Sequence, residues 1–469
     1  MVTTPFVVAP AIDFSAVRAE FGLDDAHPAA AVAEARVAAD REVAAREDRT
    51  DLPLVTIDPP GSMDLDQALH LDRTPRGFVL HYAIADVYAV VVPGGALETE
   101  SLRRGRTHYL PDGSVPLHPR ELSEGSASLL PEAVRPAVLW RIETDAAAEP
   151  VSVSVRRALV RSAARFDYAG VQHDADVGTL HPSIGALPEF GRLRQRAAVD
   201  RGAIELRLPE QDVTRDGQGW RLIVQPRTDA DDWNAHVSLL TGMCAARMML
   251  DAGIGLLRTL PPADDDAVAA LRRTAAALGV PWPAAVPVGV FLSGLDANDP
   301  ATLVLMSEAP ALLRGAAYAA FDGTAPDVTA HGAIGAPYAH VTAPLRRLPD
   351  RYATEVCLAV AAGVDVPDRV RQILPTLPKI MSSSDSLSGK ITRTCVDLTE
   401  AVVLAPRVGE RFEATVLADA TERRDATVFV PSETVIAPCA GRPREGQRVS
   451  VRLTLADPGT RKVRFAGVQ

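Results

Sequence analysis

The stretch Thr56-Ile57-Asp58-Pro59-Pro60-Gly61-Ser62-Met63-Asp64-Leu65-Asp66-Gln67-Ala68-Leu69 holds the residues most able to do chemistry. A strand is read to end at Asp58, a Pro-Pro-Gly turn follows, and Asp64 and Asp66 come two residues apart. In extended or tightly turned backbone, side chains at i and i+2 point the same way. Asp64 and Asp66 can therefore converge, and the turn can bring Asp58 beside them. Three converging carboxylates repel one another unless a cation neutralises them. Their hard oxygens favour magnesium, with manganese as the second choice. Two such ions about 3.5–4 Å apart can activate water and stabilise the leaving oxygen of a phosphodiester. Taken without further context, the plainer use of an Asp beside a Pro-Gly turn, as a turn residue, stays open. A calcium EF-hand loop is excluded: counted from Asp64, the sixth position is Leu69 rather than Gly, and the twelfth is Pro75 rather than Glu.

The flanking sequence has to position these side chains. Leu54-Val55-Thr56-Ile57 reads as a short strand, and Phe78 to Ile84 as another. Val151-Ser152-Val153-Ser154-Val155 alternates as a half-buried strand should. Asp232 to Leu250 and Arg351 to Ala361 are helical by periodicity, interrupted only by Gly242. The run Ser382-Ser383-Ser384-Asp385-Ser386 is open between a loop and a helix start. This mixture continues to about Leu404, the texture of an α+β body.

Upstream, residues 13–47 read as two helices. Asp13 is a candidate N-cap, Phe14, Val17 and Phe21 share a face, and Gly22 suits a left-handed end. Pro28 is placed at the first helical position of an Ala/Glu/Arg-rich run reaching about Glu47. Two helices and a short turn allow a helix-turn-helix. Residues 1–50 hold 9 acidic and 5 basic side chains, so packing against the main body is the expected use. Downstream, Pro406 and Gly409 mark a linker. Four short β-rich runs follow, at Glu410 to Ala418, Ala426 to Pro431, Arg448 to Leu455 and Arg461 to Ala466. Four or five strands in so short a span predict a small closed barrel, of which the OB fold is the commonest RNA-binding type. The expected organisation is a helical segment over 1–50, a catalytic body over 51–404 and a barrel over 405–469.

Composition narrows the classes. With 469 residues, 47% hydrophobic and 23% charged, the chain is globular, and disorder is not expected over most of it. Four scattered cysteines, without a C-x-x-C, exclude a disulfide scaffold and a cysteine-rich zinc site, and suit a reducing cytosol. The most apolar stretch, Val79 to Leu97, is broken by His81, Asp86 and two glycines, so a membrane span is excluded. No basic flank precedes Phe6-Val7-Val8, and a secretory signal is not expected. A net charge of −11 argues against a nucleic-acid partner, but its distribution does not. Residues 401–469 carry 11 Arg/Lys against 8 Asp/Glu, a basic module on an acidic body.

Further blocks give the aspartates a context. Thr107-His108-Tyr109-Leu110-Pro111 precedes Val115-Pro116-Leu117-His118-Pro119-Arg120-Glu121-Leu122-Ser123 and Val134-Arg135-Pro136. Arg201-Gly202-Ala203-Ile204 comes next, and Tyr338-Ala339-His340-Val341-Thr342-Ala343-Pro344-Leu345-Arg346-Arg347-Leu348-Pro349-Asp350 closes the series. In this order the blocks resemble the RNB catalytic module of the ribonuclease II / ribonuclease R family, over roughly residues 50–400. The barrel sits where that family carries an OB-fold RNA-binding domain. The resemblance implies processive, hydrolytic 3′→5′ degradation of single-stranded RNA with a free 3′ end to nucleoside 5′-monophosphates. The expected setting is a monomer in the cytoplasm. By position, Asp58, Asp64 and Asp66 look like the magnesium-binding aspartates, Asp66 being also catalytic. Arg346 looks like the arginine that holds the scissile phosphate, a task suited to an always-charged planar fork. Tyr109 looks like the tyrosine packed near the 3′-terminal nucleotides. Tyr168, in Arg165-Phe166-Asp167-Tyr168, matches a tyrosine linked to choosing RNA over DNA through the 2′-hydroxyl. Arg347 joins the RNA-binding set, while His340 and Asp350 read as buttresses of the loop that aims Arg346. In the barrel, Arg423, Arg424 and Arg448 are expected to give salt-sensitive binding, since some of Phe412, Phe429 and Phe465 must be core.

The chain also departs from the pattern. The family's Asp-Asp is Asp66-Gln67 here. Gln67 offers a neutral carbonyl oxygen that ligates without adding charge, so weaker magnesium affinity is expected. In the arginine block Leu348 replaces an aromatic residue and Ala343 a serine. A clamping aromatic near Leu206 is missing, a Glu-Glu pair at a helix start is Ala235-His236, and no glutamate between Ser382 and Cys395 matches a late acidic residue. These changes keep two other readings open: a catalytically weakened RNA-binding protein that retains the fold, and a DNA-directed phosphodiesterase. Residues 1–50 leave no room for the two cold-shock domains that family members usually carry first. A shorter RNA path, and digestion closer to a duplex, are therefore expected.

Overall fold

The structure, a computed structural model, describes residues 12–206, 211–216, 219–224, 228–296, 300–433 and 435–468; Phe6-Val7-Val8 lie outside them. Its centre is a six-stranded sheet in the order Glu47–Asp48, Pro150–Phe166, Leu54–Ile57, Gln67–Thr74, Gly77–Ala85, Val134–Thr144. Val134–Thr144 pairs in turn with Pro150–Phe166, so the hydrogen-bonded order returns to the long strand. Leu54–Ile57 is buried throughout and runs parallel to that strand. Its β-branched Val55, Thr56 and Ile57 suit such a position. Gln67–Thr74 and Gly77–Ala85 form a hairpin in unbroken register. At Gly77 (φ +153) a Cβ would meet Thr144 O at 2.1 Å, so only glycine lets the hairpin end dock on its neighbour.

The helices Asp229–Ala252 and Leu348–Ala362 pack with the sheet around Trp140, Tyr82, Phe78, Phe190, Trp233 and Tyr352. Burying each large apolar side chain of this kind is worth roughly 1.5–3 kcal/mol. Thr228 and Asp231 form a capping box that starts the first of these helices. Its single interruption, Gly242, has a positional reason. A Cβ there would lie 2.2 Å from the Tyr338 ring, and Ala339 N–H donates to Gly242 O at 3.1 Å. The loop that leads to Arg346 therefore leans on the bare backbone of this helix.

The N-terminal expectations need correction. Asp13 accepts from Ser15 N–H but is not the N-cap: the helix runs over Ser15–Glu20 with Phe14 at that position and no side-chain cap. The second helix covers Ala29–Arg36, with Pro28 just before it, and does not reach Glu47. Tertiary contacts override helix propensity there. Arg41 donates to Val91 O, and the fully buried Arg46 side chain pairs with Asp40 and Asp86. Phe14 and Val17 pack with Leu110, Val115, Ile391 and Cys395, and Arg18 Nη1 lies 2.8 Å from Asp112. The first helix thus braces the small hairpin of His108–Leu110 and Gly113–Val115. The serine run is neither a loop nor a helix start but lies inside the helix Leu377–Leu404. Ser384 Oγ donates to Arg104 O, at the end of the helix Ala96–Arg104, and Ser388 Oγ meets His108 Nδ1, in the strand that carries Tyr109, at 3.1 Å.

The barrel closes in the order Arg411–Ala418, Ala426–Val430, Val435–Ala440, Lys462–Gly467, Arg448–Asp457. Val435–Ala440 has no counterpart among the four β-rich runs, because Pro438 breaks its pattern. Phe412 and Phe465 meet edge-to-face in the barrel core, while Arg423, Arg424 and Arg448 are exposed. Among the described residues no helix is long and apolar enough to cross a membrane.

Candidate active site

Three chain segments meet at the aspartates. Asp58 follows directly on Leu54–Ile57, its N–H donating to Phe166 O at 3.1 Å. Leu65 is the anchor of the next part. It is fully buried, its N–H donates to Ser128 Oγ at 2.9 Å, and its carbonyl accepts from Leu129 N–H. Ser128 Oγ also donates to Met63 O at 2.6 Å, and Arg135 Nε donates to Ser128 O. Nailing down Leu65 in this way fixes Asp64 and Asp66 on either side of it.

Asp66 is 3% exposed. Its Oδ1 accepts from Leu345 N–H at 2.8 Å and its Oδ2 faces Arg346 Nε at 3.4 Å. The Arg346 side chain keeps 46% of its surface exposed, so the guanidinium has a free side. The Tyr109 segment joins the same loop: Thr107 N–H donates to Arg346 O at 3.0 Å and Leu348 N–H to Gly105 O at 3.1 Å. Tyr109 is 51% exposed and its hydroxyl lies by Asp64. Tyr168 starts the helix Tyr168–Val177, near Asp58, and its hydroxyl accepts from Asn234 Nδ2 at 3.4 Å.

Burial raises all three acids. It pushes Asp58 to about 6, with Arg346 opposing and Asp64 adding repulsion. It pushes Asp66 to about 8, again opposed by Arg346 and by the Leu345 N–H. Asp64 is raised by burial against its own backbone N–H, Arg346, Arg120 and Tyr109. One guanidinium thus faces three carboxylates. The expected convergence is met only pairwise: Asp64 interacts with both Asp58 and Asp66. Among the described residues, no three Asp, Glu, His or Cys side chains close into a ready ligand cage. The donor chemistry nevertheless fits a hard divalent cation. The oxygens are carboxylate, burial disfavours their charge, and no hydrogen-bond donor among the described residues reaches the Asp58 side chain.

These shifts set a pH dependence. A carboxyl in the unfolded chain loses its proton near pH 4, whereas Asp66 in the folded chain keeps its own to about 8. Between those values the folded state binds more protons, so stability falls as pH rises. A cation on the carboxylates offsets the loss. Thermal stability without divalent ions is expected to fall from pH 5 to 8.5, and magnesium to raise the melting temperature by several degrees more at pH 8.5 than at pH 5. An equal rise at both pH values would contradict this.

Two side chains named from the sequence have partners within the protein. Arg347, placed on RNA from the sequence, has its Nη2 and Nε on the fully buried Asp350 at 2.8 and 3.1 Å. Asp350 also accepts from Ala343 N–H at 2.7 Å, so the pair shapes the loop. Gln67, whose carbonyl oxygen is the expected ligand, donates its amide nitrogen to Thr342 O at 2.6 Å. His340 Nδ1 meets Tyr318 Oη at 2.6 Å, a structural contact. Three participants carried no sequence signal of their own. Asn234 holds Tyr168. Arg165 lies near Asp58. Asp385 bridges Arg106 (2.9 Å) and Arg258 (3.3 Å), in the region where no glutamate matched. Leu206 packs in a half-buried apolar cluster, His236 lies 3.6 Å from Glu205, and residues 207–210 lie outside the described ones.

A buried acidic centre faced by one arginine, on a mixed sheet followed by an OB-type barrel, defines a two-module α+β protein of nuclease architecture. The chain belongs to the RNB domain family, which matches residues 46–361; an RNase II-type exonuclease C-terminal S1 domain matches 410–468. It is 26% identical over 363 residues to the exosome complex exonuclease RRP44 homolog A of Arabidopsis thaliana, covering 73% of this chain and 38% of that protein. It is 32% identical over 210 residues to ribonuclease R of Acidithiobacillus ferrooxidans, covering 42% and 48%. The chain thus spans less than half the length of these relatives. Among solved structures, Mycoplasma genitalium RNase R superposes with a TM-score of 0.87 at 19% identity, over 97% of this chain and 77% of that one. The same protein has been solved with ribose-methylated single-stranded RNA at the same score.

Proposed function

We propose that this chain is a divalent-metal-dependent hydrolase that removes nucleotides one at a time from the 3′ end of single-stranded RNA, releasing nucleoside 5′-monophosphates. The observation that carries the reading is the Arg346–Asp66 contact at 3.4 Å, with the Arg346 side chain 46% exposed and its charge also acting on Asp58 and Asp64. Family membership and the names of the relatives support it.

The residues divide the work by their chemistry. Asp58, Asp64 and Asp66 would hold magnesium or manganese, which when bound supplies an activated water and stabilises the leaving oxygen. Arg346 presents its open side to the scissile phosphate and stabilises charge there as the bond breaks. The exposed Tyr109 ring stacks on a terminal base, worth roughly 1–3 kcal/mol. Asn234 orients the Tyr168 hydroxyl, which donates toward a ribose 2′-oxygen and so favours RNA over DNA. Arg347 and Asp350 hold the loop in shape without touching substrate. The exposed arginines of the barrel bind backbone phosphates in a salt-sensitive way. The protein works as a monomer in the cytoplasm on RNA with a free 3′ end.

The test uses 5′-labelled single-stranded oligoadenylate with magnesium. Shortening from the 3′ end to a small labelled remnant is expected, while a 3′-phosphorylated oligomer and a matching DNA oligomer persist. Internal cuts would overturn the exonucleolytic part. Binding with no shortening at any magnesium or manganese concentration would leave an RNA-binding protein.

A further inference from the structure

Gln67 follows Asp66 directly and opens the strand Gln67–Thr74. Its Nε2 donates to Thr342 O at 2.6 Å, across 275 residues of chain. The direction of this bond is set by chemistry: the partner is a backbone carbonyl, which only accepts, so the amide nitrogen must face it. No other donor among the described residues reaches that carbonyl, and Thr342 is 3% exposed. Three residues on, Leu345 N–H donates to Asp66 Oδ1 at 2.8 Å. Gln67, the first residue of the strand, and Asp66 just before it therefore grip both ends of a four-residue span, one by donating and one by accepting. Arg346 is the next residue beyond that span. Its backbone is held by Arg346 N–H to Ala343 O at 3.2 Å, inside the same span, where Ala343 N–H is tied to Asp350, and by Thr107 N–H to Arg346 O at 3.0 Å, from outside it. On the Asp66 side, the position of Arg346 is therefore passed through the Thr342–Leu345 segment.

We infer that Gln67 is a positioning residue that sets where Arg346 stands relative to Asp66. This rests on the exoribonuclease reading of the site. The position is one where the family pattern has an aspartate. A carboxylate only accepts hydrogen bonds, so an acid at residue 67 faces the Thr342 carbonyl oxygen with nothing to donate. The tie is then lost and like partial charges are opposed. In this chain the position serves geometry rather than cation charge.

The experiment compares Gln67→Met, Gln67→Glu and Gln67→Asp with the unaltered protein in two readouts. In steady-state release of mononucleotide from single-stranded oligoadenylate, all three variants are expected to lose about 10- to 100-fold in kcat with KM changed less than about two-fold, the mark of displacement at the reacting centre. Hydrogen–deuterium exchange at the Leu345 amide is expected to rise at least about ten-fold in Gln67→Met, since local opening governs it, while exchange in the sheet strands and the melting temperature stay put. Gln67→Asp with kcat equal to or above that of the unaltered protein would overturn the inference, as would unchanged Leu345 exchange in Gln67→Met. If the unaltered protein releases no nucleotide, the exonuclease reading fails, and the exchange measurement still decides whether Gln67 holds the loop.

Discussion

Asp66→Asn should abolish turnover while leaving the fold and RNA binding in place. Both Asp66 oxygens are engaged as acceptors, one from the Leu345 N–H and one toward the Arg346 guanidinium. An asparagine offers one acceptor oxygen, and its amide nitrogen would face either a backbone N–H or a guanidinium, donor against donor. It also removes the negative charge that Arg346 answers and that a cation would bind. Losing a single preorganised electrostatic group at a reacting centre typically costs 10²–10³-fold, and this change removes two roles together, so a loss on the order of 10³-fold or more in kcat is expected. Stability should move the other way near neutral pH, because burial opposes the charged form of this side chain. Single-turnover release of mononucleotide from 3′-labelled oligoadenylate measures the first effect and thermal unfolding the second. A variant that retains a tenth of the activity would show that Asp66 is not central.

Arg346→Lys should be nearly as damaging as Arg346→Ala. The guanidinium faces Asp66 through Nε, and nearly half of the Arg346 side chain is exposed. A lysine keeps the charge but offers a single point of attachment and cannot donate to a carboxylate and a phosphate from two edges of one plane. The expected loss is about 10²–10³-fold in kcat for both replacements, with single-stranded RNA affinity within a few-fold, because the proposed function assigns most of the binding to the barrel and Tyr109. Measuring kcat against RNA affinity separates the alternatives. Arg346→Lys with near-normal kcat would mean that charge alone suffices.

Local chemistry made much of this legible beforehand. Leu54–Ile57 is read to the residue because a β-branched run is bounded by Pro53 and by Asp58-Pro59. The helix Asp229–Ala252 was visible in its periodicity, and even its odd Gly242 stood out, although the Tyr338 ring that requires it did not. What stayed hidden depends on contacts between distant segments. Nothing near Arg46 in sequence announces that its side chain is buried against Asp40 and Asp86, so the second helix was drawn too long. Ser384 and Ser388 are weak helix formers whose hydroxyls are satisfied by Arg104 and His108, each 280 residues away, which local sequence cannot disclose. The aspartates and Arg346 could be named from motifs. Their supporting cast could not: Arg347 turned inward to Asp350, Gln67 reached Thr342, and Asp385 bridged two arginines, each by a geometry that spacing does not encode.

The central claim is that water, delivered at the acidic centre, takes the terminal nucleotide from RNA while Arg346 holds its phosphate. Degradation of single-stranded oligoadenylate in ¹⁸O-labelled water, with mass analysis of what is released, addresses it most directly. One ¹⁸O in the 5′-phosphate of each liberated nucleoside monophosphate, formed with magnesium and absent with Asp66→Asn, is the result this account predicts. Unlabelled product, nucleoside diphosphates formed only when inorganic phosphate is added, or equal release by Asp66→Asn would contradict it.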